Sequence, residues 1–372
     1  MSSNYAAWLT VPHGRLTVSS APLTPPERGQ IRLKARAVAI NPIDRFKQKM
    51  GKPLYGWRAY PMVLGFDLAG EVESVGPGVT RFAPGDRVVS LAVGMEKSRN
   101  RDAEAAFQLF TNVRADLSAP IPDHMSFEEA AVLPLALSTA ACGLFGADQL
   151  NLPRPGGAMT DQGRTVLVWG GSTSVGCCAI QLAKAAGYRV VTSASPRNFD
   201  YLERLGADVV LDYAGPDAAR RVAQALAGHS VAGAIAMGEG SSRACIDVLG
   251  TSEGTRKVAM ATFPVDLDAL PDAPGPWTLV TQMLPRMMTG MFGLWVTAKR
   301  RGVAHSTIWG TSLMETDLGP AIFENFLPQA LASGQIMPAP PPLVVGDGLE
   351  AIQSAFDRQR QGVSARKVVV TL

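Results

Sequence analysis

Cysteine and histidine are scarce: four of each in 372 residues. The cysteines, Cys142, Cys177, Cys178 and Cys245, are too few and too scattered for a disulfide framework and read as small buried thiols of a reducing compartment. No cysteine pair has metal-binding spacing, and His13, His124, His229 and His305 stand far apart, so no metal ligand set is expected. Charge of one sign is also missing. Lys and Arg number 35 against 32 Asp and Glu, which removes the electrostatic case for nucleic acid and for an anionic membrane. No basic region followed by an apolar core opens the chain, so no secretory signal is read and the expected location is cytoplasmic. Apolar residues at 47% and charged residues at 18% describe an ordinary globular protein, long enough for two domains.

The richest signal runs from Arg164 to Ala194. Val166, Leu167, Val168 and Trp169 form an apolar run suited to a parallel strand buried on both faces. Gly170 and Gly171 then allow a sharp turn, and Gly171-Ser172-Thr173-Ser174-Val175-Gly176 leads into a helix through Cys177 and Cys178 to Gly187. Such a turn aims the positive end of a helix and its free amides at an anion, usually a pyrophosphate. The middle glycine of the G-x-G-x-x-G spacing is replaced by Thr173. The following strand runs out through Ser193, Ser195, Arg197 and Asn198 with no carboxylate before Asp200. Hydroxyls and a cation there suit a 2′-phosphate, so NADPH is the expected cofactor, although Arg197 also fits a solvated loop charge.

Before Pro134 the chain is rich in short β patterns and turns, as in Ile31 to Ile40 and Val63 to Val75, which suggests a compact barrel-like domain. Ser126-Phe-Glu-Glu129 is a capping box, expected to open one helix running toward Cys142. From Thr165 strands near Thr165, Arg189, Asp208, Gly233 and Lys257 alternate with helices, the pattern of a doubly wound domain. Leu343 to Val345, a helix over 348–359 and Lys367 to Thr371 look like a return to the first domain. The resulting division is 1–137 with 325–372, and 138–324. One segment, Pro276 to Arg301, is rich in Met and Trp but interrupted by Pro285, Arg286 and Gly290, so it is no membrane span. Covering a core is its preferred reading, then the wall of a substrate channel, then a dimer or membrane-surface patch.

These motifs carry a family resemblance over nearly the whole chain. Ala37-Val-Ala-Ile-Asn-Pro-Ile-Asp44, Leu64-Gly-Phe-Asp-Leu-Ala-Gly-Glu-Val72, Pro84-Gly-Asp-Arg-Val88, Ala130-Ala-Val-Leu-Pro134 and Leu205-Gly-Ala-Asp208 occur in the order of medium-chain dehydrogenases/reductases. The chain resembles their zinc-free quinone oxidoreductase and enoyl reductase branch. The Gly170 to Thr173 turn and Ser195-Pro-x-Asn-Phe-Asp200 are similar to those of fungal stand-alone enoyl reductases that serve polyketide synthases. The resemblance implies a GroES-like β-rich catalytic domain and a doubly wound Rossmann domain, with substrate and nicotinamide meeting between them. Its zinc-dependent members carry Cys where Asn41 stands and Gly-His-Glu where this chain has Gly65-Phe66-Asp67. The metal ligands are thus missing, and hydride transfer is easiest to a substrate with its own electron sink, an enone, an enoyl thioester or a quinone.

By position in that family, Asn41 and Thr139 are expected at the nicotinamide and substrate. Tyr55 lies where mitochondrial-type enoyl reductases have a tyrosine acid, and Lys47 is a nearby cation for an enolate; either also fits a surface residue, with solvent supplying the proton. Tyr213, Gly238, Gly310, Thr311 and Lys367 are placed along the cofactor by the same resemblance. A small-molecule substrate with a conjugated carbonyl, carrier-bound or polyketide in type, is implied, acting on a monomer or homodimer. A non-catalytic nucleotide-binding protein and a zinc-free carbonyl reductase stand as the other readings.

Overall fold

Strand Gln30–Ala39 organises the first half of the molecule. Its odd positions from Ile31 to Ala37 are buried, while Arg32 and Arg36 reach outward to Glu73 and Glu71 on the adjacent strand, as alternation with period two requires. The computed structural model describes residues 3–156, 161–262 and 265–372. Among them, the strands β1 (Asn4–Leu9), β2 (Leu16–Ala21), β3 (Gln30–Ala39), β4 (Met62–Val63), β5 (Asp67–Val75), β6 (Arg87–Leu91), β7 (Phe110–Arg114) and β8 (Ser118–Pro120) come first. The run expected over Val63 to Val75 is therefore two strands, parted where Gly65 turns with φ of 102°.

The second half contributes β9 (Thr165–Trp169), β10 (Arg189–Ala194), β11 (Val209–Asp212), β12 (Val231–Ala236), β13 (Lys257–Met260) and β14 (Ala304–Thr307). These pair in the order β11-β10-β9-β12-β13-β14, all parallel. Renumbered within the domain this is 3-2-1-4-5-6, the doubly wound order, in which ligands bind at the carboxyl ends where the order reverses. β14 is the strand not anticipated; its short polar run His305-Ser306-Thr307 has no apolar signature. The last two strands, β15 (Pro342–Asp347) and β16 (Lys367–Thr371), return to the first half, forming β15-β16-β3-β5-β6-β8 with β7 also on β3.

Two helical expectations change. The capping box at Ser126 forms, its hydroxyl accepting the Glu129 amide at 3.1 Å and its own amide donating to Glu129 at 2.9 Å. The helix it opens, however, stops at Ala131, and a second runs over Pro134–Phe145, because Pro134 fits a helix start and not an interior. The Pro276 to Arg301 segment is helical and covers core with part of its surface: Leu279 and Met283 pack on Met50, Leu267 and Leu270, and Leu294 and Ala298 on the second core, while Leu284, Met288, Met291, Phe292 and Trp295 stay exposed.

The glycine turn is closely packed. Thr173 is the N-cap of helix Ser174–Ala185, its hydroxyl accepting the Gly176 amide at 3.0 Å and donating to Gly170 O at 2.8 Å. The residue that departs from the glycine spacing thus closes the turn. A Cβ on Gly176 would lie 2.3 Å from Gly170 O, and one on Gly171 would lie 2.2 Å from the Thr192 hydroxyl. Gly176→Ala must therefore push backbone against backbone, and a loss of about 1–3 kcal/mol of stability is expected in chemical denaturation, together with weaker nucleotide binding.

Candidate active site

Strand register assembles the centre of the site. In β16 and β3 Val369 faces Ala39, so two residues further along Lys367 comes opposite Asn41. β5 places Asp67 beside Ala39 on the other flank. The Asn41 carboxamide donates to Asp67 Oδ2 at 2.9 Å and accepts from the Lys367 ammonium at 2.6 Å, and Lys367 reaches the same carboxylate at 2.9 Å. Asp67 Oδ1 accepts the Leu135 amide at 2.6 Å. All three side chains are buried. The buried charges are opposite in sign and hydrogen-bonded, the condition under which such a pair is tolerated. Removing either partner alone would strand the other.

Above this group lies a cleft of about 500 Å³ between the two halves. Asn41, Tyr55, Phe66, Thr139 and Lys367 line one side; Ser172 to Val175, Met237, Gly238 and Thr307 to Thr311 line the other. Helix Ser174–Ala185 points its first turn into it, where Ser174 and Val175 have no intrahelical acceptor. Gly238 follows β12 directly beside the turn, Met237 donating its amide to Trp169 O at 3.1 Å. The segment Trp309 to Thr311 is tied down from two sides. Ser138 donates to Gly310 O, and Trp309 Nε1 donates to Glu96 Oε2 at 3.0 Å. Thr139 donates to Leu135 O at 2.7 Å.

The remaining cofactor candidates are placed around the turn. Ser193 accepts the Gly170 amide at 3.2 Å and so supports the turn from below. Ser195 donates to the Tyr213 hydroxyl at 3.3 Å at the ends of β10 and β11, and Tyr213 is half exposed. Arg197 is exposed and makes no ion pair among the described residues. Asn198 is buried and donates to the Ser364 hydroxyl at 3.5 Å.

Tyr55 is buried with a positive φ of 52°, its ring set among Trp57, Phe66 and Trp309 with centroids 5.3, 6.2 and 5.7 Å away. Burial, with the carboxyls of Glu96 and Asp44 adding, raises its phenol far above the ordinary value, so it stays protonated. Lys47 is not where the resemblance put it. Its ammonium is fully buried and donates to the carbonyls of Gly51 at 2.8 Å and Leu54 at 2.7 Å, outside the cleft. It fastens the loop that carries Tyr55, and burial pushes it down to about 8, with Arg58 nearby adding. Short local carbonyls captured it; the cation that does line the cleft is Lys367.

Three acids escaped the residue-by-residue reading: Asp67, Asp44 and Glu96. Asp67 stands inside an apolar run, whereas Asp44 and Glu96 are followed directly by Arg45 and Lys97 and carry no such signal. Glu96 is buried with Oε1 unpartnered and is raised by burial against hydrogen bonds from Trp309 and Thr311. Asp44 is buried, accepts the Asn41 amide at 2.8 Å through Oδ2 and leaves Oδ1 unpartnered. Burial pushes it up to about 8, opposed by that hydrogen bond.

A metal does not fit here. The oxygens of Asn41 and Asp67, which hold the positions of two zinc ligands in metal-dependent relatives, already share the Lys367 ammonium, and Phe66 stands at the third. A nicotinamide dinucleotide does fit: helix amides for a pyrophosphate, apolar lining from Ile40, Phe66, Leu135 and Ile308, and small residues at Gly238 and Gly310.

Fold and cleft define a two-domain oxidoreductase with a nicotinamide cofactor. Comparison with known proteins agrees. Residues 27–123 match the alcohol dehydrogenase GroES-like domain and 174–255 the zinc-binding dehydrogenase domain. Dehydrogenase pigH of Monascus ruber is 45% identical over the full length of both chains. Trans-enoyl reductase himH of Aspergillus japonicus is 34% identical over 99% of this chain and 97% of its own. A mycobacterial structure complexed with NADPH superposes over both full chains with a TM-score of 0.64 at 24% identity. The chain belongs to the medium-chain dehydrogenase/reductase family, among relatives named dehydrogenases and trans-enoyl reductases.

Asp44 has a pH signature. Because its native value lies above its ordinary one, the folded state keeps a proton that the unfolded chain releases. Its contribution to stability is complete below about pH 4 and is lost as pH rises to about 8. Asp44→Asn is expected to flatten that decline, read as the melting temperature between pH 5 and 9.

Proposed function

We propose that this reductase uses NADPH to reduce the conjugated double bond of an enone or enoyl thioester, with quinones as a related acceptor class. The observation that carries the reading is Lys367 held by Asn41 and Asp67 at the floor of an apolar cleft. A cation is thereby built into the place where a metal works in relatives, and Tyr55, lining the same cleft, offers a protonated phenol.

When bound, the nicotinamide supplies a hydride to the electrophilic carbon. The chain's own residues then do the rest. Asn41 cannot rotate, since both ends of its carboxamide are bonded, so it presents a fixed edge to the substrate. Lys367 puts positive charge near the oxygen on which negative charge develops, in a site largely shielded from water. Tyr55 donates the proton, its buried phenol remaining neutral until a strong base forms beside it. Apolar walls, Phe46, Phe66 and Leu135, suit an acyl chain. The himH name supports an enoyl substrate, and a polyketide-type, carrier-bound acyl group is the natural extension of that likeness. Ser195, Tyr213 and Arg197 around the end of β10 support a 2′-phosphate and hence NADPH over NADH.

Loss of nicotinamide absorbance with a panel of enones, enoyl thioesters and quinones tests this. Turnover with NADPH is expected on the conjugated carbonyls; tight NADPH binding without turnover on any of the panel would sink the reading. Tyr55→Phe should lower kcat about 10²-fold or more if the phenol is the acid. Arg197→Glu should weaken NADPH about 10-fold or more while leaving NADH unchanged, because a carboxylate would meet the 2′-phosphate.

A further inference from the structure

The loop that follows β6 folds tightly on itself. Glu96 donates its amide to Val93 O at 3.0 Å, Asn100 donates to Glu96 O at 2.7 Å, and Gly94 and Arg101 close the base, Gly94 donating to Glu104 O at 2.9 Å and Arg101 to Gly94 O at 3.0 Å. A Cβ on Gly94 would lie 2.3 Å from Arg101 O. Arg99 clasps the buried Glu104 through two bonds, at 2.7 and 2.5 Å. From this base three contacts run to the surroundings of Tyr55. Met95 O accepts Trp57 Nε1 at 3.0 Å. Asn100 and Asp102 accept the Arg58 guanidinium, and the Arg58 amide closes the turn onto Tyr55 O at 3.0 Å. Glu96 Oε2 accepts Trp309 Nε1 at 3.0 Å, from the other half of the molecule. Neighbouring residues of one turn, Met95 and Glu96, thus hold two of the three rings packed around the Tyr55 ring.

Glu96 stands apart from the other acids of this loop. Asp102 and Glu104 are paired with arginines, whereas Glu96 has no ion pair among the described residues, is 7% exposed and leaves Oε1 without a partner. An orphaned oxygen on a buried carboxyl is a cost to the fold that a purely structural contact would not need. What the carboxyl secures is the setting of Tyr55. The positive φ of that residue is a conformation that side chains rarely adopt and that persists only where the surroundings hold it. Its ring is wedged between Trp57, tied to Met95, and Trp309, tied to Glu96. Gly310 is anchored separately, its carbonyl accepting from Ser138, so loss of Glu96 would free the Trp309 ring more than the backbone beyond it. The carboxyl also opposes ionisation of the Tyr55 phenol, as a nearby negative charge must.

We propose that Glu96 is a positioning residue for the proton transfer, acting through Trp309 to aim the Tyr55 phenol into the cleft; this rests on the reading of Tyr55 as the acid. The test is steady-state turnover of an enoyl thioester with NADPH. Glu96→Leu should lower kcat about 10- to 100-fold, the range that misplacement of a reacting group produces, while KM and the Kd of NADPH stay within about 3-fold. Glu96→Gln keeps an acceptor for the indole and should recover most of the loss. In a Tyr55→Phe background Glu96→Leu should cost nothing further, because no phenol is left to aim. Trp309→Phe keeps a ring beside Tyr55 but removes the donor, and should lower kcat in the same way should the leucine variant fail to fold. Full kcat in Glu96→Leu or in Trp309→Phe, a Gln variant no better than Leu, or an equal loss in the Tyr55→Phe background would overturn the inference. Wild-type turnover by Tyr55→Phe alone would instead overturn the assignment of the acid, and this inference with it.

Discussion

A carboxylate without access to water must be answered by its neighbours, and Asp67 is answered three times: by the Asn41 carboxamide, the Lys367 ammonium and the Leu135 amide. Each comes from a different element, a strand end, the last strand and the start of helix Pro134–Phe145. The pairing of β16 with β3 and the approach of that helix to β5 therefore meet at one buried charge. Breaking such a pair by removing one partner leaves an uncompensated ion, at a cost of about 3–5 kcal/mol. The chemistry of the cleft rests on the same group, since it fixes Asn41 and holds a cation beneath the substrate space.

Around this centre the two halves divide the work. The first half brings Asn41, Tyr55 and Lys367 to the cleft, and the doubly wound half brings glycines, hydroxyls and helix amides. The two lysines show how local geometry assigns roles. Lys47 sits within reach of the carbonyls of residues 51–55 and closes a loop; Lys367 starts a strand whose register carries it to Asn41. Both are buried cations, yet only the second lines the cleft.

Much of the fold was legible because it rests on local rules. The buried run Val166 to Trp169, the glycine turn and the hydroxyl cap at Ser126 each depend on neighbours within a few residues. Strand β14 was not legible, as a short polar strand owes its place to β13 beside it. The Pro276 to Arg301 segment was legible only in part for a related reason: composition shows that its side chains seek apolar company, but not which of them, Leu279, Met283, Leu294 and Ala298, find it within the chain. Of the site, the turn and Asn41 could be found from motifs, whereas Asp44, Asp67 and Glu96 look in sequence like ordinary acids. Burial alone makes them unusual.

Sequence by itself determined the class of fold, the nucleotide turn and the want of metal ligands, because each is a property of residue type and spacing over short distances. Tertiary structure decided which cation stands in the cleft, which phenol is kept protonated and which helix face is left uncovered. Those outcomes depend on register between strands more than 300 residues apart, as with Asn41 and Lys367, and on the removal of water. No local pattern encodes either.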